Sequence, residues 1–99
     1  MDFEHPLGVG FTIYSKSGCF NCQKIKNELK EKGLAFQIID CDEYILENKE
    51  EFLHFIFNLT QKNVKFFPII FYNGQFVGSY IETKKFIEKL ISFDENENF

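Results

Sequence analysis

Apolar and polar positions along the chain fall into alternating stretches of two periods. Gly10-Phe11-Thr12-Ile13-Tyr14 is a short run rich in β-branched and aromatic residues and predicts a strand. From Phe20 to Lys32 the apolar positions Cys22, Ile25 and Leu29 recur at helical spacing, and Gly33 supplies a stop. Ala35 to Asp40 predicts a second strand, mostly apolar, as suits a strand covered on both faces. Asp42 to about Lys62 predicts a long helical region broken near Asn48. Its second half puts Phe52, Phe55, Ile56 and Leu59 on one face and Glu50, Glu51 and Lys62 outside, with Asn63 as its end. Ile69–Tyr72 and Gln75–Gly78 flank Asn73-Gly74, a strong short-range hairpin signal. Glu82 to Ile91 predicts a closing amphipathic helix with Phe86, Ile87, Leu90 and Ile91 inward.

Met1 to Val9 lacks periodicity and reads as an extended lead-in, and residues 92–99 read as a frayed acidic tail. The expectation is a single domain, 1–99, with a folded body of about 10–91. Strand, helix, strand in that order implies a right-handed crossover and a parallel pair. With the later hairpin, the pattern predicts an α/β domain: a four-stranded mixed sheet, two parallel strands plus a C-terminal β-hairpin, with helices on both faces.

The candidate chemistry sits where the first strand hands over to the first helix, at Lys16-Ser17-Gly18-Cys19-Phe20-Asn21-Cys22. Cys19 falls at the helix N-terminus, where unpaired N–H groups present partial positive charge to a thiolate. Lys16, three residues upstream, adds a full charge. Such surroundings bring a cysteine pKa from about 8.5 into roughly the 3.5–7.5 range. Cys22 is near enough to close a small disulfide ring and, lying deeper in the first turn, is expected to be less exposed. Cys19 therefore attacks and Cys22 resolves.

The opposing reading, half of a zinc site, needs four ligands. Only Cys41, His5 and His54 are left to supply them, and none has ligand-pair spacing, so no metal site is expected. Cys41 reads as a passive thiol at the end of the second strand, with a regulatory modification site as the alternative. His54 reads as a surface or boundary residue. Phe20 is expected either to touch substrate or to cap the helix start, and Tyr14 to pack near the site.

Composition changes this picture little. The chain has 99 residues, 44% of them hydrophobic, with 14 Phe, enough for a core without staples. Its net charge of −4 comes largely from Asp94, Glu95 and Glu97; without them acidic and basic residues stand at 12 against 11. A nucleic-acid partner would need a basic face, so none is expected. The longest apolar run, Phe66 to Tyr72, is too short to span a membrane. Three cysteines with one close pair, and no apolar signal core at the N-terminus, suggest a reducing, cytoplasmic setting.

Element order and cysteine pair together resemble the thioredoxin fold and, more closely, the glutaredoxin family, from about Phe11 to Ile91. Tyr14-Ser15-Lys16-Ser17-Gly18-Cys19-Phe20-Asn21-Cys22 is similar to the family's active-site run. Phe66-Phe67-Pro68 stands where the family has Thr-Val-Pro with a cis proline. Val77-Gly78-Ser79 followed by Glu82 stands where it has a Gly-Gly doublet and an aspartate. The chain departs from the family at Phe20-Asn21 (often Pro-Tyr), at Phe66 and at Ser79.

The resemblance implies a monomeric glutathione-dependent oxidoreductase acting on disulfide-containing or glutathionylated proteins, with glutathione as reductant and no permanently bound cofactor. It further implies that Lys16 takes the glycine carboxylate of glutathione and that the Phe67 backbone, ahead of cis-Pro68, pairs with its cysteine. The backbone at Tyr80 and Ile81 would hold the γ-glutamyl carboxylate, and Glu82 its ammonium. Glu82 serves equally well as an acid at a helix N-terminus. Lys65 could add charge beside Lys16. Two alternatives accompany this reading. One is an electron donor, for instance to ribonucleotide reductase, recharged by a thioredoxin-reductase-type enzyme. The other is an iron–sulfur carrier in which two protomers share a cluster through Cys19 and two glutathiones.

Overall fold

A computed structural model describes residues 2–96, with side chains described as far as Ser92. The elements run β1 (Phe11–Ser15), α1 (Phe20–Glu31), β2 (Phe36–Asp40), α2 (Asp42–Thr60), β3 (Ile69–Tyr72), β4 (Gln75–Gly78) and α3 (Tyr80–Asn96). They build one mixed sheet in the order β2-β1-β3-β4. β1 pairs parallel with β2, Phe11 opposite Phe36, and antiparallel with β3, Phe11 opposite Tyr72. This is the thioredoxin-like arrangement the pattern and the resemblance predict.

Strand alternation divides the core between the two faces of the sheet. Phe11, Ile13 and Ile70 pack with Ile25 and Leu29 of α1 and with Tyr80 and Ile87 of α3. Tyr14, Ile69 and Phe71 point the other way, against Phe52 and Ile56 of α2. Burying a side chain of this size contributes about 1.5–3 kcal/mol. Both faces are filled, and the loop between β1 and α1 is carried on a rigid support.

The ends of α1 follow from local chemistry. Cys19 occupies the N-cap with extended backbone, φ −92° and ψ 106°. At the other end Gly33 adopts φ +66°, the Leu34 N–H bonds the Leu29 carbonyl at 3.0 Å, and the Gly33 N–H bonds the Lys30 carbonyl at 3.1 Å. That is a Schellman stop, which a glycine accommodates without strain. Asn73 (φ 50°) and Gly74 (φ 83°) form the two-residue turn between β3 and β4, with both central residues in the left-handed region that such turns require.

Three expectations need correction. β2 is only half-buried over most of its length, because it lies at the sheet edge and not under two covering layers. α3 begins at Tyr80, two residues before the expected Glu82. It also continues through Ser92 to Asn96, where a frayed tail was expected: after Ile91 no Gly or Pro interrupts it. Residues 97–99 of that tail lie outside the described residues. The break expected in α2 is present at Asn48 (φ −146°, ψ 52°), and the helix ends at Thr60 with Gln61 left-handed, ahead of Asn63. The lead-in has no regular structure, yet it is pinned: the ring of Phe3 meets those of Tyr44, Phe52 and Phe55, and the Tyr14 hydroxyl donates to the Glu4 carbonyl at 2.6 Å.

Candidate active site

The loop from Lys16 to Cys19 joins the buried end of β1 to the first turn of α1. Gly18 at φ +74° makes the bend, a conformation that costs other residues more than glycine. The loop is held from the side by α2. The backbone N–H of Ser17 donates to Asp42 Oδ1 at 2.9 Å, and the Ser17 hydroxyl donates to Oδ2. These bonds, the hydroxyl's foremost, hold the Asp42 carboxyl below its ordinary range, and Lys16 adds to the effect. No local pattern announces this clamp, since its partners are 25 residues apart.

Within this frame Cys19 and Cys22 are bonded as a disulfide, with Cα atoms 5.2 Å apart. The Cys22 backbone N–H points at the Cys19 sulfur at 3.2 Å. A sulfur in the N-cap position thus takes the hydrogen bond that a Ser or Asp oxygen normally accepts. Cys19 is half-exposed, whereas Cys22 is 2% exposed. One sulfur faces solvent and its partner waits inside, the asymmetry expected of an attacking and a resolving thiol.

Among the other predicted site residues Lys16, Phe67 and Glu82 line grooves, and Lys16 shares one of them with the two cysteines. A polar groove of about 240 Å³ behind the loop is lined by Lys16, Cys19, Cys22, Gln23 and Lys26. On the other side the Lys16 ammonium lies 5.6 Å from the centre of the Phe67 ring, and both residues line a second groove with Lys65. The Phe67–Pro68 peptide is cis, with Pro68 buried. Gly78, Ser79 and Glu82 line a third groove with Lys65 and Phe66.

Glu82 is partly committed. Its Oε1 accepts the Ser79 N–H at 2.9 Å, while the Ser79 carbonyl accepts the Thr83 N–H at 3.0 Å. This is the returning half of a capping box, and the Ser-x-x-Glu spacing that announces it is present in Ser79-Tyr80-Ile81-Glu82. Ile81 is 62% exposed. The Tyr80 side chain turns toward α1: its hydroxyl donates to Glu28 Oε1 at 3.1 Å, and the Lys24 ammonium lies 4.7 Å from its ring centre. The same ammonium lies 5.5 Å from the ring of Phe20, which is 75% exposed beside Cys19. Lys24 is a residue that the sequence did not single out.

Cys41 and His54 lie apart from this chemistry. Cys41 is fully buried among the α2-facing core, where burial pushes its thiol up to about 12, and its Sγ donates to the Ile39 carbonyl at 3.5 Å. His54 is exposed on α2. Among the described residues no group of three or more His, Cys, Asp or Glu side chains is arranged to hold a metal ion, and no helix is long and apolar enough to cross a membrane.

The model of the glutaredoxin family matches residues 11–77. The chain belongs to the glutaredoxin family. Family and disulfide together support a thiol–disulfide oxidoreductase. Solved glutaredoxins share the fold at low identity. Glutaredoxin 1 from Francisella tularensis, complexed with cacodylate, superposes with a TM-score of 0.71 at 23% identity, covering 83% of this chain and 95% of that one. A buckwheat glutaredoxin–glutathione complex gives 0.65 at 18% identity, covering 80% of this chain and 68% of that one. Reduced glutaredoxin from Escherichia coli gives 0.63 at 21%, covering 83% and 96%. The chain is also similar to the N-acetyl-S-hydroxy-L-cysteine reductase of Bacillus subtilis (strain 168), 49% identical over 35 residues. That match spans 35% of this chain and 38% of the relative's length.

Proposed function

We propose that the protein is a glutathione-dependent thiol–disulfide oxidoreductase, a monomer working in a reducing, cytosol-like compartment. The observation that carries this reading is the half-exposed Cys19 sulfur at the start of α1, accepting the Cys22 N–H and bonded to a sulfur that solvent barely reaches. In the reduced protein the Cys19 thiolate attacks one sulfur of a protein disulfide or of a glutathione mixed disulfide. The substrate S–S bond breaks, a bond to Cys19 forms, and the other sulfur leaves as a thiolate that takes a proton from water. Cys22 then attacks the Cys19 sulfur, releasing the second substrate thiol and restoring the internal disulfide. Two glutathione thiols reduce that disulfide and become oxidised glutathione.

In this reading Lys16 holds the carboxylate at one end of glutathione, and Glu82 the ammonium at the other. The Phe67 backbone pairs with the peptide between them, since an extended peptide adds readily to exposed backbone. The test is turnover of a glutathione mixed disulfide coupled to glutathione reductase. Cys19→Ser abolishes it, whereas Cys22→Ser keeps deglutathionylation and loses dithiol reduction. Full activity in the Cys19 variant ends the reading. Turnover sustained by thioredoxin reductase and not by glutathione identifies instead the dedicated electron donor.

A second reading rests on the 35-residue stretch, 49% identical, shared with the reductase of N-acetyl-S-hydroxy-L-cysteine. The same Cys19 thiolate attacks a small-molecule sulfenic acid, displacing hydroxide that leaves as water, and Cys22 releases the thiol. Comparing thiol release from sulfenylated N-acetylcysteine with that from the glutathione mixed disulfide ranks the two substrates.

A further inference from the structure

The groove shared by Lys16 and Phe67 holds more positive charge than one carboxylate needs. It encloses about 330 Å³, and its cationic lining is Lys16, Lys49 and Lys65. Its floor is apolar: Ile45 and Leu53 of α2, with the Phe67 ring stacked on that of Phe52 at 6.4 Å and an interplanar angle of 6°. Ile45, Lys49 and Leu53 all line the groove from α2, Lys49 just past the break at Asn48 and one turn before Leu53. All three lysines are exposed. Among the described residues no Asp or Glu lines the groove, and none of the three forms an ion pair. Asp42, whose carboxyl feels Lys16, has both oxygens engaged by Ser17. This is an unneutralised cationic cleft on a chain of net charge −4.

Orientation makes the charge informative. On the proposed reading, on which this inference rests, the residue after the substrate cysteine points toward Lys16, and the residue before it toward Glu82. The cationic cleft therefore lies downstream of the target cysteine. We infer that Lys49 and Lys65, together with Lys16, form a docking subsite for an acidic segment immediately C-terminal to the reacting cysteine of a protein disulfide. Carboxylates of that segment meet the ammonium groups at the rim, and its aliphatic stems lie over Phe67 and Leu53. Complementary charge at such a rim raises encounter rates and sets the preference among partners more than it deepens affinity.

The test uses the full chain, reduced beforehand and freed of reductant, so that glutathione plays no part. Three peptides carry one cysteine as a mixed disulfide with a neutral thiol, followed by Glu-Glu, Gln-Gln or Lys-Lys. Single-turnover exchange with Cys19 is followed for each. The expected order is Glu-Glu faster than Gln-Gln faster than Lys-Lys, with roughly two- to fivefold per step, the scale of exposed charge pairs. Lys49→Gln narrows the spread, Lys49→Glu narrows it further while Lys16 and Lys65 keep its direction, and raising salt from about 0.1 M to about 1 M compresses it as the screening length falls from about 10 Å to about 3 Å. Equal rates for the three peptides, or a spread that Lys49→Glu leaves untouched, overturn the inference alone. A concentration-dependent dimer dispersed by Lys49→Glu assigns the cleft to a second copy and also overturns it. No exchange with any peptide removes the oxidoreductase reading and this inference with it.

Discussion

Ser17 and Asp42 are joined twice, the backbone N–H and the hydroxyl of one both donating to the carboxylate of the other. The joint fixes the segment that carries Lys16 and Cys19 to the first turn of α2, so the position of the nucleophile depends on a residue outside its own helix. Asp42 acts as a positioning residue. Its carboxyl lies below the ordinary range chiefly through the Ser17 hydroxyl. The clamp is therefore complete above the unfolded carboxylate value of about 3.9 and is lost as pH falls through the lower folded value. Asp42→Ala is expected to slow alkylation of Cys19 at neutral pH, by up to about tenfold, the scale of a small misplacement. Asp42→Asn, which keeps an acceptor for the Ser17 N–H, should recover part of the rate. Iodoacetamide kinetics on the reduced proteins, at neutral pH and in acid, check both.

What could be read ahead of the structure was local. Cys22, Ile25 and Leu29 share one face by spacing alone, and all three are buried. Asn73-Gly74 specifies its turn by the backbone region those residues tolerate, and the strand-to-helix placement of Cys19 needed only the two periodicities on either side. What escaped depends on partners distant in the chain. The edge position of β2 is set by the strand order, and the Asp42 clamp and the Tyr80–Glu28 bond each span a long stretch of sequence. The cleft of Lys16, Lys49 and Lys65 draws on three separate segments. The early start of α3 is a different case. The capping-box spacing from Ser79 to Glu82 was present, but the hydrophobic period begins later and drew the boundary with it.

Cys41 provides a pH-dependent test away from the site. Burial first, and the nearby carboxylates of Asp40, Asp42 and Glu4 after it, lift its thiol from 9.0 to about 12, against a lowering by the Ser15 backbone. A raised value means that the folded state holds the proton more tightly. The stabilisation is complete below about pH 9 and is lost as pH rises toward about 12. Tyr14, fully buried and also shifted upward by burial, acts in the same direction. Denaturant midpoints measured from neutral to alkaline pH should fall for the native chain and fall less for Cys41→Ala. In the native protein at neutral pH, a thiol reagent should titrate two cysteines after mild reduction and the third only after unfolding.

Gly78 is held at φ +141°, and a Cβ there would lie 2.5 Å from the Cβ of Glu82. That atom is the first side-chain carbon, bonded directly to the backbone of α3, so it cannot swing aside as a side-chain tip can. Gly78→Ala should therefore destabilise the fold by about 1–3 kcal/mol, the usual cost of overpacking. It should also displace Glu82 from the Ser79 N–H. A lower midpoint in urea with an unchanged slope would match this expectation, and an unaltered midpoint would contradict the close approach.

Glu82 carries two roles that one pair of substitutions separates. As the returning arm of the cap it needs only an acceptor oxygen facing the Ser79 N–H; as a partner for the ammonium of glutathione it needs charge. Glu82→Gln keeps the acceptor and removes the charge, whereas Glu82→Ala removes both. If capping is its whole contribution, Glu82→Ala loses ~1 kcal/mol of stability, typical of a helix cap, and Glu82→Gln resembles the native chain in stability and turnover alike. On the proposed function, Glu82→Gln keeps stability yet raises KM for the glutathione mixed disulfide, roughly two- to fivefold for an exposed charge pair. KM for a mixed disulfide lacking the γ-glutamyl group should stay unchanged. The second substrate is the decisive arm, because a misplaced α3 would raise both KM values, while a lost ammonium contact raises only the first.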